Sequence, residues 1–216
     1  MRIRKKPWAK QELERSNIFI SNPEEYKGRW NKRFENNNPI HIELGCGKGY
    51  FVKKIVFQNE KINYIAIDLI DAILGVANRN ILEEAEGKQI KNLLLTRYDV
   101  EEINNILDKE DNIERIYINF CNPWPKPRHR KRRLTHTRQL EKYKQFLKPG
   151  GEIYFKTDDD GLFNESLEYF KEAGFKPVKI TYNLNEEPEF WNNIETEHEI
   201  KFKNQGIKIK AGIFKM

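Results

Sequence analysis

The sequence has few cysteines and no long apolar run, and each scarcity excludes a class of protein. Its two cysteines, Cys46 and Cys121, cannot form a disulfide framework. No segment approaches the ~18 consecutive apolar residues of a transmembrane helix. The basic N-terminus lacks the apolar stretch that follows the charges of a secretory signal. These absences predict a cytoplasmic protein with no membrane partner.

A metal-binding pattern is also lacking. Neither cysteine lies in a CxxC pair, and both are expected to be packing residues. The acidic cluster Asp158–Asp160 has no histidine or further acid at the spacing of metal ligands. The sequence therefore predicts a protein that works without a metal.

The chain of 216 residues suits one α/β domain. Residues 1–38 show little periodicity and end in Asn36-Asn37-Asn38-Pro39, which is a turn or linker signal. We predict an N-terminal basic arm over residues 1–38 and one domain over residues 39–216. A monomer and a homodimer are both compatible with this sequence.

Strands and helices alternate after residue 39. Apolar runs predict seven strands, at 40–44, 64–68, 93–98, 115–120, 153–155, 175–181 and 207–214. Helical spacing predicts helices at 49–58, 71–86, 134–147 and 162–173, and the capping box of Thr196 and Glu199 favours another short one. Such alternation indicates an α/β fold with a mostly parallel seven-stranded sheet and helices on both faces. Ligands bind such sheets at the carboxyl ends of the strands.

Positive charge is concentrated in two clusters, although the net charge is only +6. Six of the eight residues 126–133 are Lys or Arg, and the second cluster contains Arg2, Arg4, Lys5 and Lys6. Like charges at this density repel, so an anionic partner would relieve the repulsion. Aromatic groups that can stack on bases lie in or beside the clusters, namely Trp8, Trp124 and His129. RNA is the predicted partner, and a solvated basic loop is the alternative.

A glycine-rich turn follows the first predicted strand, in Glu43-Leu-Gly-Cys-Gly-Lys-Gly49. The spacing G-x-G-x-G differs from the dinucleotide pattern G-x-G-x-x-G, and Glu43 precedes it. S-adenosylmethionine (SAM) has no pyrophosphate but carries an ammonium and a sulfonium, which an acid suits. Asp68 ends the second strand, where a carboxylate can accept both ribose hydroxyls. Asp99 follows the third, where one can accept from the adenine amine. Together with Gly45 and Gly47, these acids resemble the Rossmann-like class I SAM-dependent methyltransferases.

The segment after the fourth strand carries a narrower resemblance. Pro123-Trp-Pro-Lys-Pro-Arg-His-Arg-Lys-Arg-Arg133 resembles the motif of the bacterial tRNA (guanine-N7-)-methyltransferases. The resemblance runs from Glu43 to the end of the chain and includes Lys156-Thr-Asp158 and Thr196-Glu-His-Glu199. It implies methyl transfer from SAM to N7 of guanosine 46 in the tRNA variable loop.

The resemblance also implies residue roles. SAM contacts are expected at Glu43, Gly45, Gly47, Asp68, Asp99 and Asn122. Substrate contacts are expected at Lys126, Asp158, Thr196, Glu197, His198 and Glu199. RNA contacts are expected along the loop, at Arg128, His129, Arg130, Lys131, Arg132 and Arg133.

One position departs from the family pattern. The family usually has Asp before Pro-Trp, at the position of its catalytic candidate, and this chain has Asn122. Guanine N7 carries no proton, so its attack needs alignment and charge stabilisation rather than a general base. Asn122 still offers a dipole and a hydrogen-bond acceptor, so it is compatible with activity and is our catalytic candidate.

Three other functions remain open at this point. Asn122-Pro-Trp is similar to the D/N-P-P-aromatic motif of adenine-amino methyltransferases, but the second proline is missing from its place. A non-catalytic RNA-binding protein on a methyltransferase fold would explain Asn122, although the intact acids and glycines argue against it. A nicotinamide dehydrogenase fits the G-x-G-x-G spacing poorly.

Overall fold

An eight-stranded sheet forms the centre of the computed structural model, which describes residues 5–187 and 189–216. The strands are β1 Phe19–Ile20, β2 Ile40–Leu44, β3 Asn63–Asp68, β4 Leu93–Arg97, β5 Ile113–Asn119, β6 Leu147–Thr157, β7 Lys176–Thr181 and β8 Lys210–Lys215. Their order is β1-β4-β3-β2-β5-β6-β8-β7, and only the pairs that involve β8 are antiparallel. All seven predicted strands are present, and β1 is the additional one.

Helices cover both faces of the sheet, as predicted. They are α1 Pro7–Glu14, α2 Trp30–Phe34, α3 Val52–Gln58, α4 Asp71–Glu84, α5 Thr137–Tyr143, α6 Asp160–Glu172 and α7 Glu197–Asn204. Alternate residues of β3 pack into two different clusters. Tyr64 and Ala66 pack with residues of α1, α3 and α4, whereas Ile65 and Ile67 pack with residues of α2, α5 and α6. This alternation follows from the two-residue period of a strand. No helix of the described chain is both long and apolar enough to span a membrane.

The helix predicted over 134–147 is shorter in the structure, where α5 covers only Thr137–Tyr143. Its start is fixed by His136, whose Nδ1 accepts a hydrogen bond from the backbone N–H of Arg138 at 3.1 Å. The apolar residues that suggested a longer helix, Phe146 and Leu147, are indeed buried, but they lie after the helix and at the start of β6. The helical spacing of these apolar residues therefore predicted a helix end that lies too far along the chain.

The segment expected to be a basic arm packs against the sheet over its described residues. β1 pairs in parallel with β4, and α1 packs on α4, where a Cβ on Gly75 would lie 2.6 Å from the Cβ of Ala9. Trp30 is fully buried, and its indole N–H donates to the carbonyl of Ile106 at 2.8 Å. Residues 5–38 therefore contribute to the core, and the boundary at residue 38 stays a prediction. Arg2 and Arg4 lie outside the described residues.

The topology fixes where a ligand can bind. From the central strand β2, the chain proceeds through β3 to β4 on one side and returns to β5 and β6 on the other. The strand order thus reverses between β2 and β5, which pair in parallel. In open α/β sheets, ligands occupy the crevice at the carboxyl ends of the strands beside such a reversal.

Candidate active site

A cleft of about 300 Å³ opens at the carboxyl ends of β2 and β5. One side is formed by the glycine-rich turn after β2, and the opposite side by the first turn of α7. The lining residues are Glu43, Gly45, Cys46, Gly47, Lys48, Tyr50, Phe51, Ile73, Asn119, Phe120, Thr196, Glu197 and His198. The fold thus brings the predicted Glu43, Gly45 and Gly47 together with Thr196, Glu197 and His198, although some 150 residues of chain separate the two groups.

Glu43 carries a buried carboxylate oxygen without a partner. Asn119 Nδ2 donates to Glu43 Oε1 at 2.9 Å, whereas Oε2 has no hydrogen-bond partner among the described residues. Burial raises the pKa of Glu43 to about 8, and the hydrogen bond from Asn119 and the charge of Lys156 oppose the rise. A buried acceptor without a partner is costly, so this oxygen suits a cationic ligand group.

The glycine-rich turn is held by Asp68. Asp68 Oδ2 accepts from the backbone N–H of Gly47 at 3.0 Å, and Oδ1 accepts from Ile70 N–H at 3.1 Å. Gly47 has φ 55°, and a Cβ at this residue would meet nothing within 4 Å. Backbone conformation, rather than space, therefore favours glycine there. Burial raises the pKa of Asp68, and its hydrogen bonds from the backbone oppose the rise.

Asp99 and Asn122 do not line the cleft. Asp99 is exposed and caps the 3₁₀ helix Val100–Asn105, where its side chain accepts from Glu101 N–H at 2.9 Å. Asn122 is also exposed, and its Oδ1 accepts from the backbone N–H of Trp124 at 3.0 Å. Both carboxamide and carboxylate groups can make such a turn contact. The roles predicted for Asp99 in SAM binding and for Asn122 in SAM binding and catalysis stay predictions.

A buried ion pair anchors the α7 side of the cleft. The side chains of Lys156 at the end of β6 and Glu199 in α7 are 1% and 2% exposed, and their charged groups lie 2.6 Å apart. Lys156 Nζ also donates to Asn193 Oδ1 at 2.8 Å and to the carbonyl of Ile194 at 2.9 Å. Burial lowers the pKa of Lys156, and Glu199 opposes the decrease.

Thr196 and Glu199 form the predicted capping box at the start of α7. Thr196 Oγ1 accepts from Glu199 N–H at 3.1 Å, and Glu199 accepts from the N–H of Thr196 at 3.4 Å. Both residues are buried, so their polar groups mainly hold the helix start in place.

The site residues predicted from the sequence did not include Lys156, which holds Glu199 and so the start of α7. A signal was present, because Lys156 lies in the Lys156-Thr-Asp158 motif that carried part of the resemblance.

Two exposed residues of the same helix reach across the cleft. Glu197 pairs with Lys48 of the glycine-rich turn at 3.2 Å. His198 lies beside Phe120, with ring centroids 5.8 Å apart and ring planes within 20°. The cleft walls are therefore joined at the rim by an ion pair and by an aromatic contact.

Lys126 and Asp158 lie near this edge of the sheet but outside the cleft lining. Lys126 is exposed and precedes the 3₁₀ helix Pro127–Arg132. Asp158 follows β6, and its carbonyl oxygen accepts from Lys210 Nζ at 3.0 Å. Their substrate contacts stay predictions. Within residues 5–187 and 189–216, no group of three or more His, Cys, Asp or Glu has the arrangement of a metal site.

The basic loop is exposed at Arg128, Arg130, Lys131 and Arg132, and His129 is half-buried. Trp124 lies beside it, with its ring 5.3 Å from the Arg132 guanidinium and 5.7 Å from the His129 ring. This surface presents cations and aromatic rings together, a combination common in proteins that bind single-stranded RNA.

Arg133 differs from the rest of the predicted RNA-contacting run, because its side chain is only 4% exposed. Its Nη1 pairs with Glu165 at 2.6 Å, and its Nε donates to the carbonyl of Pro123 at 2.7 Å. In this structure the guanidinium is paired within the protein and holds the basic loop against α6. The RNA contact predicted for Arg133 stays a prediction.

Replacing Glu43 with glutamine is expected to remove a pH dependence of stability. Between the ordinary carboxyl pKa of about 4.5 and the folded pKa of about 8, only the folded state retains the proton of Glu43. The free energy of unfolding therefore falls as pH rises through this window, by up to about 1.4 kcal/mol per unit. Glutamine cannot ionise, so the slope should flatten. Urea unfolding across the window measures it, with exposed Glu60→Gln as the control, and equal slopes for Glu43→Gln and wild type would refute the effect.

Known proteins resemble this chain along nearly its whole length. A family described as "Putative methyltransferase" matches residues 37–211. A tRNA (guanine-N(7)-)-methyltransferase of Clostridium botulinum (strain Eklund 17B / Type B) is 60% identical over 213 residues, covering 97% of this chain and 96% of that protein. The enzyme of the same name from Clostridium perfringens (strain 13 / Type A) is 55% identical over 218 residues, covering 100% and 99%. The solved structure of an antibiotic-related methyltransferase matches with a TM-score of 0.63 at 15% identity, covering 87% of this chain and 92% of that one, which supports the Rossmann-like fold alone. By its full-length similarity to these relatives, the chain belongs to the tRNA (guanine-N7-)-methyltransferase family.

Proposed function

We propose that the protein transfers the methyl group of SAM to N7 of guanosine 46 in the variable loop of tRNA. The observation that carries this proposal is the 60% identity to a tRNA (guanine-N(7)-)-methyltransferase across 97% of the chain. The choice of position 46 rests on the resemblance of the Pro123–Arg133 motif to its family. A cytoplasmic location is part of the proposal, because tRNA is the substrate, and both a monomer and a homodimer fit it.

Three features in and beside the cleft support SAM binding there. The unpartnered Glu43 Oε2 would accept from the ammonium of the methionine part, and the glycine-rich turn would allow a close approach of the backbone. Asp68 holds that turn and would accept from the ribose hydroxyls with its remaining lone pairs. When bound, SAM supplies an electrophilic methyl group on a sulfonium.

The chain's own residues have a limited chemical task. Guanine N7 has a free lone pair and no proton, so no residue needs to act as a general base. The enzyme must hold the purine in line with the methyl group and favour the positive charge that the purine gains. We propose that Asn122 and Asp158 contribute to this second task, and that Lys126 contacts the substrate.

Binding of tRNA would involve the exposed residues of the basic loop. Arg128, Arg130, Lys131 and Arg132 present their cations beside the half-buried His129 and near Trp124. Phosphate neutralisation by such residues positions a nucleic acid without reading its sequence. Selection of the guanine would then occur in the cleft.

Nucleoside analysis of a methylated tRNA tests the proposal. Unmodified tRNA is incubated with the protein and labelled SAM, and its digested nucleosides are separated. We expect 7-methylguanosine, and no label in a tRNA whose position 46 is adenosine. Label in an N6-methyladenosine product would favour the adenine-amino methyltransferase. Tight binding of tRNA without any transfer would favour a non-catalytic RNA-binding protein.

Position 122 allows a second measurement on the same reaction. Asn122→Asp should keep or raise the single-turnover rate, because a carboxylate preserves the acceptor for Trp124 N–H and better favours charge on the purine. Asn122→Ala should slow transfer by at least about tenfold, and it should slow transfer more than it weakens SAM binding. Single-turnover transfer at saturating enzyme and calorimetry with SAM give the two quantities. If alanine reacts as fast as asparagine, position 122 has no catalytic role and Asp158 becomes the candidate.

A further inference from the structure

Phe120, the first residue after β5, has an unusual backbone conformation. Its φ of 51° lies in the left-handed region, which is unfavourable for a residue with a bulky side chain. Its backbone N–H donates to the carbonyl of Lys156 at 2.9 Å, which ties it to the end of β6. Strained residues that the surrounding structure holds in place occur preferentially at functional sites.

This conformation has a consequence for the cleft. Successive side chains of a regular strand point to opposite faces of the sheet. Asn119, the last residue of β5, and Phe120 nevertheless both line the cleft. The left-handed turn is therefore what brings an aromatic ring beside the Asn119–Glu43 contact.

Other rings support Phe120 in this position. The His198 ring lies 5.8 Å from that of Phe120, with planes within 20°. Phe202 of α7 packs against both, at 6.0 Å from Phe120 and 6.1 Å from His198. The Lys156–Glu199 pair holds α7, which carries His198 and Phe202, and Phe120 is held at the end of β5. The three rings are therefore fixed by two different elements.

We propose that Phe120 is the surface on which the target purine stacks, with the His198 ring beside it. The proposal rests on the proposed function and adds the residue that holds the base. A base removed from its stack in tRNA loses its neighbours, and an aromatic side chain replaces them. The purine also becomes cationic as N7 is methylated, and a cation is attracted to the face of an aromatic ring.

Trp124 does not serve this purpose, although its sequence context suggests base contact. Its ring lies against Arg132 and His129 in the basic loop, and it does not line the cleft. Phe120 and Trp124 therefore have separate tasks. Phe120 holds the reacting base, and Trp124 belongs to the surface that meets the surrounding RNA.

Phe120→Leu tests the stacking role, because leucine fills space but has no aromatic face. We expect the single-turnover rate at saturating tRNA and SAM to fall about tenfold or more, since stacking energies of this kind correspond to such factors. Phe120→Tyr should stay within about threefold of wild type. SAM affinity and Tm should change little for either. The matched control is Phe57→Leu, at an exposed phenylalanine of α3 outside the cleft.

The outcomes separate the two proposals. If wild type forms 7-methylguanosine and Phe120→Leu is as fast, the stacking role is wrong and the proposed function stands. A tyrosine variant as slow as leucine, or a loss of SAM affinity that matches the loss of rate, would give Phe120 a packing role only. If wild type forms no 7-methylguanosine, both proposals fall. Should the leucine variant not fold, Phe120→Met provides the same comparison.

Discussion

Replacing Lys156 with methionine is expected to lower the free energy of unfolding by about 3–5 kcal/mol and to abolish SAM binding. The substitution leaves Glu199 buried, with its carboxylate 2.6 Å from where the ammonium was. It also removes the donor to Asn193 Oδ1 and to the carbonyl of Ile194. The loop before α7 then loses its anchor, and the cleft wall that includes Thr196 and His198 is displaced.

Urea unfolding and calorimetry with SAM measure these effects. The double variant Lys156→Met with Glu199→Leu should recover most of the stability, because no buried charge is left without a partner. Lys203→Met is the matched control, since Lys203 pairs with Glu195 at 2.8 Å near the same helix but is half exposed, and such pairs contribute under about 1 kcal/mol. A double variant as unstable as the single one would show that the ion pair is not the source of the loss.

Replacing Arg130, Lys131 and Arg132 together with alanine is expected to weaken tRNA binding and to reduce its salt dependence. Each phosphate contact contributes about 0.7–0.9 to the slope of log K against log salt, so three lost contacts reduce the slope by about 2. The loop should keep its position, because Arg133 retains its pair with Glu165 at 2.6 Å. SAM affinity should therefore be unchanged.

The control for this variant has the same change in net charge. Lys61, Lys88 and Lys91 are exposed, and Lys61 and Lys91 precede β3 and β4 at the edge of the sheet opposite the cleft. Their replacement with alanine should leave the slope close to that of wild type. Filter binding of labelled tRNA at several salt concentrations distinguishes the two variants. Equal slopes for both would assign tRNA binding to overall charge rather than to the basic loop.

Local signals predicted much of the fold. The strands β2, β3 and β4 were found where apolar runs predicted them, because a strand buried on both faces is apolar along its length. The capping box of Thr196 and Glu199 was also found, since it depends on two residues of one turn. The end of α5 was misplaced, because Phe146 and Leu147 are buried by contacts with distant residues and not by continuation of the helix.

The N-terminal segment shows a second limit of local signals. Its apolar residues follow no single period, since they belong to short elements that pack in different ways. Trp30 packs through a hydrogen bond to a residue 76 positions away, and Ala9 packs against a glycine of another helix. No window of the sequence contains both partners of these contacts. The packing of residues 5–38 therefore became evident only from the folded chain.

The sequence by itself determined the family, the glycine-rich turn with its flanking acids, and the concentration of positive charge in residues 126–133. These features are local, so the spacing of a few residues along the chain is enough to identify them. Only the tertiary structure decided which groups meet. Glu43 and Asn119 are 76 residues apart, and Lys156 and Glu199 are 43 apart, yet both pairs lie within hydrogen-bond distance. Folding also buried Arg133 beside the exposed cations of the basic loop, and it left one oxygen of Glu43 without a partner among the residues that the structure describes. Burial and partnership arise when the sheet brings distant strand ends to one edge, and so they depend on the whole fold.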